Sequence, residues 1–147
     1  FNLPMSVALK CKEVSDVETP YDIEMNKILN KLSKRPNIEA SYLIGVSSIR
    51  SATFKHELAH ALYYTNKKYK DSMDKITNSI KQKKFQKLKF KLKELGYCER
   101  VIMDEIQAYL STEKSNVLTK AVNMEEKLLE KYRNNFRNQY INLKPKK

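Results

Sequence analysis

Glycine occurs only at Gly45 and Gly96 in 147 residues. A chain with so few residues free to adopt positive φ has few permissive turns, and it is expected to be dominated by helices. The length suits one domain over residues 1–147, with a core at about 40–112 and a C-terminal helix at about 122–140. Apolar residues make up 41% and charged residues 31%, a globular composition rather than a disordered one. No apolar run approaches the roughly 18 residues that suggest a membrane span. Two cysteines cannot supply a dense disulfide framework, which favours a reducing compartment and an expected cytoplasmic placement. With Phe1 in place of an initiator Met and no signal-peptide pattern, the chain is expected to be processed or trimmed.

Pro4 to Val14 alternates loosely (Met5, Val7, Leu9, Cys11) and reads as a strand. Thr19-Pro20 suits the N-cap and first position of a helix whose apolar stripe is Ile23, Met25, Ile28, Leu29 and Leu32, ending before Pro36. Tyr42 to Val46 is a short β-prone run. Ser47 and Ser48 offer caps for a helix through about Asn66. A third helical region spans Tyr69 to Leu95, broken near Lys81 to Lys84 and stopped by Gly96. Cys98 to Thr112 and Val122 to about Tyr140 complete the helices. The fold class is α+β: several helices packed on a small sheet.

Both histidines of the chain fall within five residues, His56-Glu57-Leu58-Ala59-His60. On a helix, positions i and i+4 lie about 40° apart around the axis and one turn along it. Two imidazoles so placed can grip one zinc ion from the same face. Glu57 is then too far round for easy ligation, yet well placed to take a proton from water and return it to a leaving amine. Ala59 and Ala61 are small and let neighbouring elements approach closely.

A catalytic zinc site needs a third protein ligand and an open position. No histidine remains, so Asp, Glu or Cys must supply it. Glu105 has Val101, Ile102, Ala108 and Tyr109 as its helical neighbours, an apolar face on which a carboxylate is costly unless a cation pairs with it. Asp104 neighbours Arg100 and Gln107, which suits a solvated position or one that orients a ligand histidine. It is the reserve ligand; Glu99, Cys98 and Cys11 stay open as further alternatives.

The helical His56-Glu57-x-x-His60 pattern, with Glu105-x-x-Ala108 about 45 residues later, resembles the gluzincin group of zinc metallopeptidases. The likeness is greatest to its small single-domain members, the minigluzincins. The resemblance covers roughly Tyr42 to Leu110. It implies a zincin-like fold with one zinc ion per chain held by His56, His60 and Glu105, and with Glu57 as general base in peptide-bond hydrolysis. It also implies an edge strand that holds an extended peptide by main-chain hydrogen bonds, for which Ser41 to Ser47 is the counterpart. Larger relatives use a further histidine to stabilise the oxyanion. Here a tyrosine must do so, with Tyr63, Tyr109, Tyr42 and Tyr97 as candidates.

Lys+Arg number 29 against 17 Asp+Glu, a net charge of +12, and Lys75 to Lys93 holds eight lysines without an acidic residue. Such an excess suits an acidic peptide or protein substrate, nucleic acid or anionic lipid. Lys87 to Lys93 alternates strictly with Leu88, Phe90 and Leu92, but helical spacing of Ile76, Ile80, Phe85, Leu88, Leu92 and Leu95 favours a helix with a solvated basic face. No nucleic-acid motif accompanies the charge, so no specific nucleic-acid partner is expected. The rival to a peptidase is a basic interaction module for nucleic acid or an acidic protein, with zinc structural or absent.

Overall fold

The computed structural model describes residues 2–12, 19–113 and 126–143. Among these are seven α-helices and one two-stranded antiparallel sheet, an α+β chain that is mostly helical. The contacts group into two compact units, Phe1–Gly45 and Val46–Lys147.

In the N-terminal unit β1 (Asn2–Pro4) pairs antiparallel with β2 (Tyr42–Ile44), Leu3 lying opposite Leu43. The strand expected from Pro4 to Val14 is a helix over most of its described part, α1 (Met5–Lys12), and only its first residue belongs to β1. Burial follows the helical period rather than alternation. Met5 and Ala8, three apart, are buried, whereas Val7 and Cys11 are exposed. Residues 13 and 14 lie outside the described residues. Helix α2 (Pro20–Leu32) begins with a capping box in which Thr19 and Asp22 each bond the other's backbone N–H. Leu29 of α2 joins Met5 and Ala8 in a small apolar cluster with Leu3, Leu9, Met25, Leu32, Ile38 and Leu43.

In the C-terminal unit α3 (Ala52–Thr65) starts later than Ser47 and Ser48 suggest. Ser51 is its cap, the Oγ accepting from Phe54 N–H at 3.0 Å, while Ser51 itself donates to the Ser48 carbonyl in a preceding turn. Asn66 ends α3 and caps α4 (Lys67–Ser79), its side-chain oxygen accepting from Tyr69 N–H. The break expected near Lys81 falls at Ile80 and Lys81, after which α5 (Gln82–Glu94) carries the basic stretch as a helix. Gly96 closes α5 at φ +95°, with Tyr97 N–H returning to the Leu92 carbonyl. A single 3-10 turn (Glu99–Val101) leads into α6 (Ile102–Thr112), and α7 (Glu126–Leu143) follows. Residues 122–125 of the expected last helix lie outside the described residues.

Helix α6 is central to this unit, packed against α3, α4, α5 and α7. Its Ile102, Ile106, Ala108 and Leu110 meet Ala59 and Leu62 of α3, Tyr69 and Met73 of α4, Leu88 and Leu92 of α5, and Tyr132, Phe136 and Tyr140 of α7 in one apolar core. Ala59 and Ala108 are both fully buried, and the absence of bulk at these positions suits close approach of α3 and α6. No helix among the described residues is long and apolar enough to cross a membrane. Because Phe136 is wholly buried, Phe136→Ala should lower stability by about 3–5 kcal/mol. Urea unfolding should show a lower midpoint at unchanged slope.

Candidate metal centre

His56 and His60 stand one turn apart on the same face of α3, and Glu105 reaches them from the first turn of α6. The two Nε2 atoms are 3.2 Å apart. Glu105 Oε2 lies 3.8 Å from His56 Nε2, and Oε1 lies 3.7 Å from His60 Nε2. Two ligand atoms bound to one zinc ion at a tetrahedral angle are about 3.3 Å apart. The two imidazole nitrogens match that spacing, each Glu105 oxygen faces a different one of them, and one ligand atom from each of the three side chains lies within 4.8 Å of the others, a group that can hold a metal ion.

Two further observations fit a cation. Glu105 Oε2 is buried and has no hydrogen-bond partner. A lone carboxylate oxygen in that state costs several kcal/mol unless a positive charge faces it. The N-terminus of α6 offers it only a partial positive charge. In addition, each imidazole has an acidic group at its outer nitrogen. Asp104 Oδ1 accepts from His60 Nδ1 at 2.9 Å, and Glu113 Oε1 lies 3.4 Å from His56 Nδ1. Carboxylates in those places favour the Nδ1–H tautomer and leave the Nε2 lone pairs facing the group's centre.

Electrostatics at His60 are dominated by opposing effects. Burial disfavours its cation, but the hydrogen bond and charge of Asp104, with the charges of Glu105 and Glu57, outweigh burial and hold its pKa above the ordinary imidazole value. Glu57 thus acts on the site without being one of its three clustered donors. Its charge also reaches Tyr97, whose hydroxyl is made less acidic by burial and by its hydrogen bond with Tyr109. The Tyr97 and Tyr109 hydroxyls are 3.1 Å apart, and the Tyr109 ring meets His56 edge-on with centroids 4.8 Å apart.

Of the other residues singled out in the sequence, Tyr63 is turned to α4. Its hydroxyl donates to Asp74, Lys70 covers its ring, and burial with the Asp74 contact raises its pKa to about 12. The structure thus does not bring Tyr63 to the cluster. Tyr42 donates to Asn2 within the N-terminal unit. Glu99 pairs with Lys89 and Lys93, which pull its pKa down. Cys11 and Cys98 are free and exposed. Asp104 is not simply solvated, because Gln107 as well as His60 donates to it.

Gln107 and Glu113 were not identified as parts of the site from sequence. Glu113 follows the last residue of α6 in extended backbone, so its spacing from Glu105 carries no helical-face signal that could have found it. Gln107 was visible as a neighbour of Asp104, but nothing in the sequence distinguishes a buried glutamine from a solvated one. The chain matches no protein-family model, no curated protein and no solved structure.

If the ion this group takes is zinc, zinc at about 100 times its Kd should stabilise the protein by about 2.7 kcal/mol, read as a rise in thermal midpoint that chelation reverses. Glu105→Ala should abolish that rise and lower the zinc content per chain. Unchanged stoichiometry would remove Glu105 from the ligand set. Glu113→Ala should keep the site but weaken zinc by about 10–100-fold, measured by chelator competition.

Proposed function

We propose that this chain is a zinc-dependent peptidase of the gluzincin type, with a zincin-like arrangement of its helices. The observation that carries the reading is the buried, unpartnered Glu105 Oε2 beside two imidazole Nε2 atoms, with a second glutamate, Glu57, directly after the first of those histidines. A structural zinc site commonly fills all four positions with protein ligands, whereas three ligands and a neighbouring carboxylate suit a hydrolytic one.

Zinc in such a site supplies Lewis acidity toward a carbonyl and makes water a stronger acid. The roles we assign to the chain's own groups are these. His56, His60 and Glu105 would hold the ion, and Asp104 and Glu113 would keep the imidazoles oriented. Glu57 takes the proton as water adds to the scissile carbonyl carbon, and delivers it to the nitrogen as the C–N bond breaks. In the hydrogen-bonded pair of Tyr97 and Tyr109 one hydroxyl proton stays free to donate, and with the Tyr109 ring against His56 this pair is our candidate for the donor to an oxygen that gains negative charge. Peptides and proteins are the substrates, with acidic ones favoured by the net charge of +12. Two free, exposed cysteines fit a reducing compartment, and we place the protein in the cytoplasm.

A basic interaction module is the second reading. It is favoured by the exposed lysines of α4, where Lys67, Lys68 and Lys75 border an open depression with Asp71 and Ser72. Part of the adjoining charge is spent inside the chain, since Lys89 and Lys93 pair with Glu99 and Lys91 with Glu94.

Glu57→Gln separates the two readings. The peptidase reading expects one zinc per chain retained and cleavage of an acidic peptide library reduced by at least about 100-fold. Turnover at the wild-type rate would refute the assigned base. Undiminished nucleic-acid binding by metal-free protein, falling steeply with salt, would favour the interaction module.

A further inference from the structure

Gln107 is wholly buried in α6, and its side chain is used at both ends. Its Oε1 accepts from the Tyr69 hydroxyl at 2.9 Å. Its Nε2 donates to Asp104 Oδ1 at 2.9 Å and to the Ala59 carbonyl at 3.3 Å. Asp104 Oδ1 is the same oxygen that accepts from His60 Nδ1. A run of donors and acceptors, buried at Tyr69, Gln107 and His60 and partly exposed at Asp104, therefore leads from α4, through α6, to the second histidine of α3.

The direction of this run is set by chemistry. The Tyr69 hydroxyl donates to the amide oxygen. That leaves the amide nitrogen facing Asp104. A reversed amide would put its oxygen against the Asp104 carboxylate and the Ala59 carbonyl, acceptor against acceptor. With Gln107 N–H and His60 N–H both directed at one carboxylate oxygen, Asp104 is kept from swinging to solvent, where its side chain is 27% exposed. His60 must then carry its proton on Nδ1.

We propose that Gln107 and Tyr69 are positioning residues for the metal centre: they hold Asp104 so that the His60 Nε2 lone pair is committed to the ion. In its consequence for zinc, this rests on the metal reading above. It deepens that reading by making metal affinity depend on α4, a helix that supplies no ligand. Removing the Tyr69 hydroxyl leaves Gln107 Oε1 a buried acceptor without a partner and frees the amide to turn. Removing the amide leaves one side of Asp104 unsupported.

The test uses the full chain with Tyr69→Phe and Gln107→Leu, and with Met73→Ala as a control. Met73 is wholly buried on α4, one turn from Tyr69, and outside the relay. Tyr69→Phe should weaken zinc by about twofold to tenfold, the size of one neutral hydrogen bond. Gln107→Leu should weaken it by about 10–100-fold. Met73→Ala should lower the urea midpoint yet leave the zinc Kd of the folded protein unchanged. An unchanged Kd in both relay variants, or an equal loss in the control, would overturn the proposal.

Imidazole nitrogen–proton correlation spectra of zinc-free protein, at a pH where the ring is neutral, give a readout independent of zinc. Wild type should show His60 protonated on Nδ1, and Gln107→Leu should show a gain of the Nε2–H form. An Nε2–H wild type, or an identical spectrum in the variant, overturns the relay even if zinc binds. A wild type that binds no zinc but shows the expected tautomer shift instead refutes the metal reading and leaves the relay standing.

Discussion

A carboxylate placed against two imidazoles at the packed junction of α3 and α6 is the constraint on which the rest of the C-terminal unit depends. Glu105 is 12% exposed as a side chain and His60 only 4%. Keeping such groups from water while a carboxylate oxygen lacks a hydrogen bond is unfavourable by itself. The surrounding apolar core must offset that cost. Fully buried Ala59 and Ala108 suit a close α3–α6 approach, and Ile102, Ile106 and Leu110 lock α6 among its neighbours. The polar cluster and the core that supports it are two faces of the same helices.

That arrangement explains why so much of the site comes from one short helix. Within α6 and the residue after it, Glu105 supplies a donor atom, Asp104 and Glu113 stand at the outer nitrogens of the two histidines, and Gln107 braces Asp104. Acidic side chains outnumber imidazoles here, in a chain whose net charge is +12. Helix α7 takes part from a distance. Buried Arg133 donates to the Glu113 carbonyl at the end of α6, and Tyr140 donates to the Lys55 carbonyl in α3.

The two histidines and their glutamate were legible because a four-residue separation on a helix has one geometric meaning. The helix itself was legible from its apolar neighbours and nearby serines. Glu105 followed from an argument about cost, since a carboxylate among Ile102, Ala108 and Tyr109 needs a partner. Sequence and structure part where local signals are ambiguous. Met5, Val7, Leu9 and Cys11 alternate, but Met5 and Ala8 also share a helical face, and burial follows the latter. Ser47, Ser48 and Ser51 are all good caps, and only the turn that Ser48 makes with Ser51 selects the last.

The sequence by itself determined the helical character of the chain, through its scarcity of glycine, and the chemistry available, through the confinement of both histidines to one turn. The end of α5 was also set locally, since Gly96 can take φ +95° without the strain that a Cβ would bring. Only the tertiary structure decided which polar residues serve the site. Tyr63 and Tyr109 each stand three or four residues from a proposed ligand, yet one turns to Asp74 and the other to His56. Gln107 looks like any surface glutamine until Tyr69, Ala59 and Asp104 surround it. Spacing along a helix specifies a face, but what that face meets depends on residues far away in the chain.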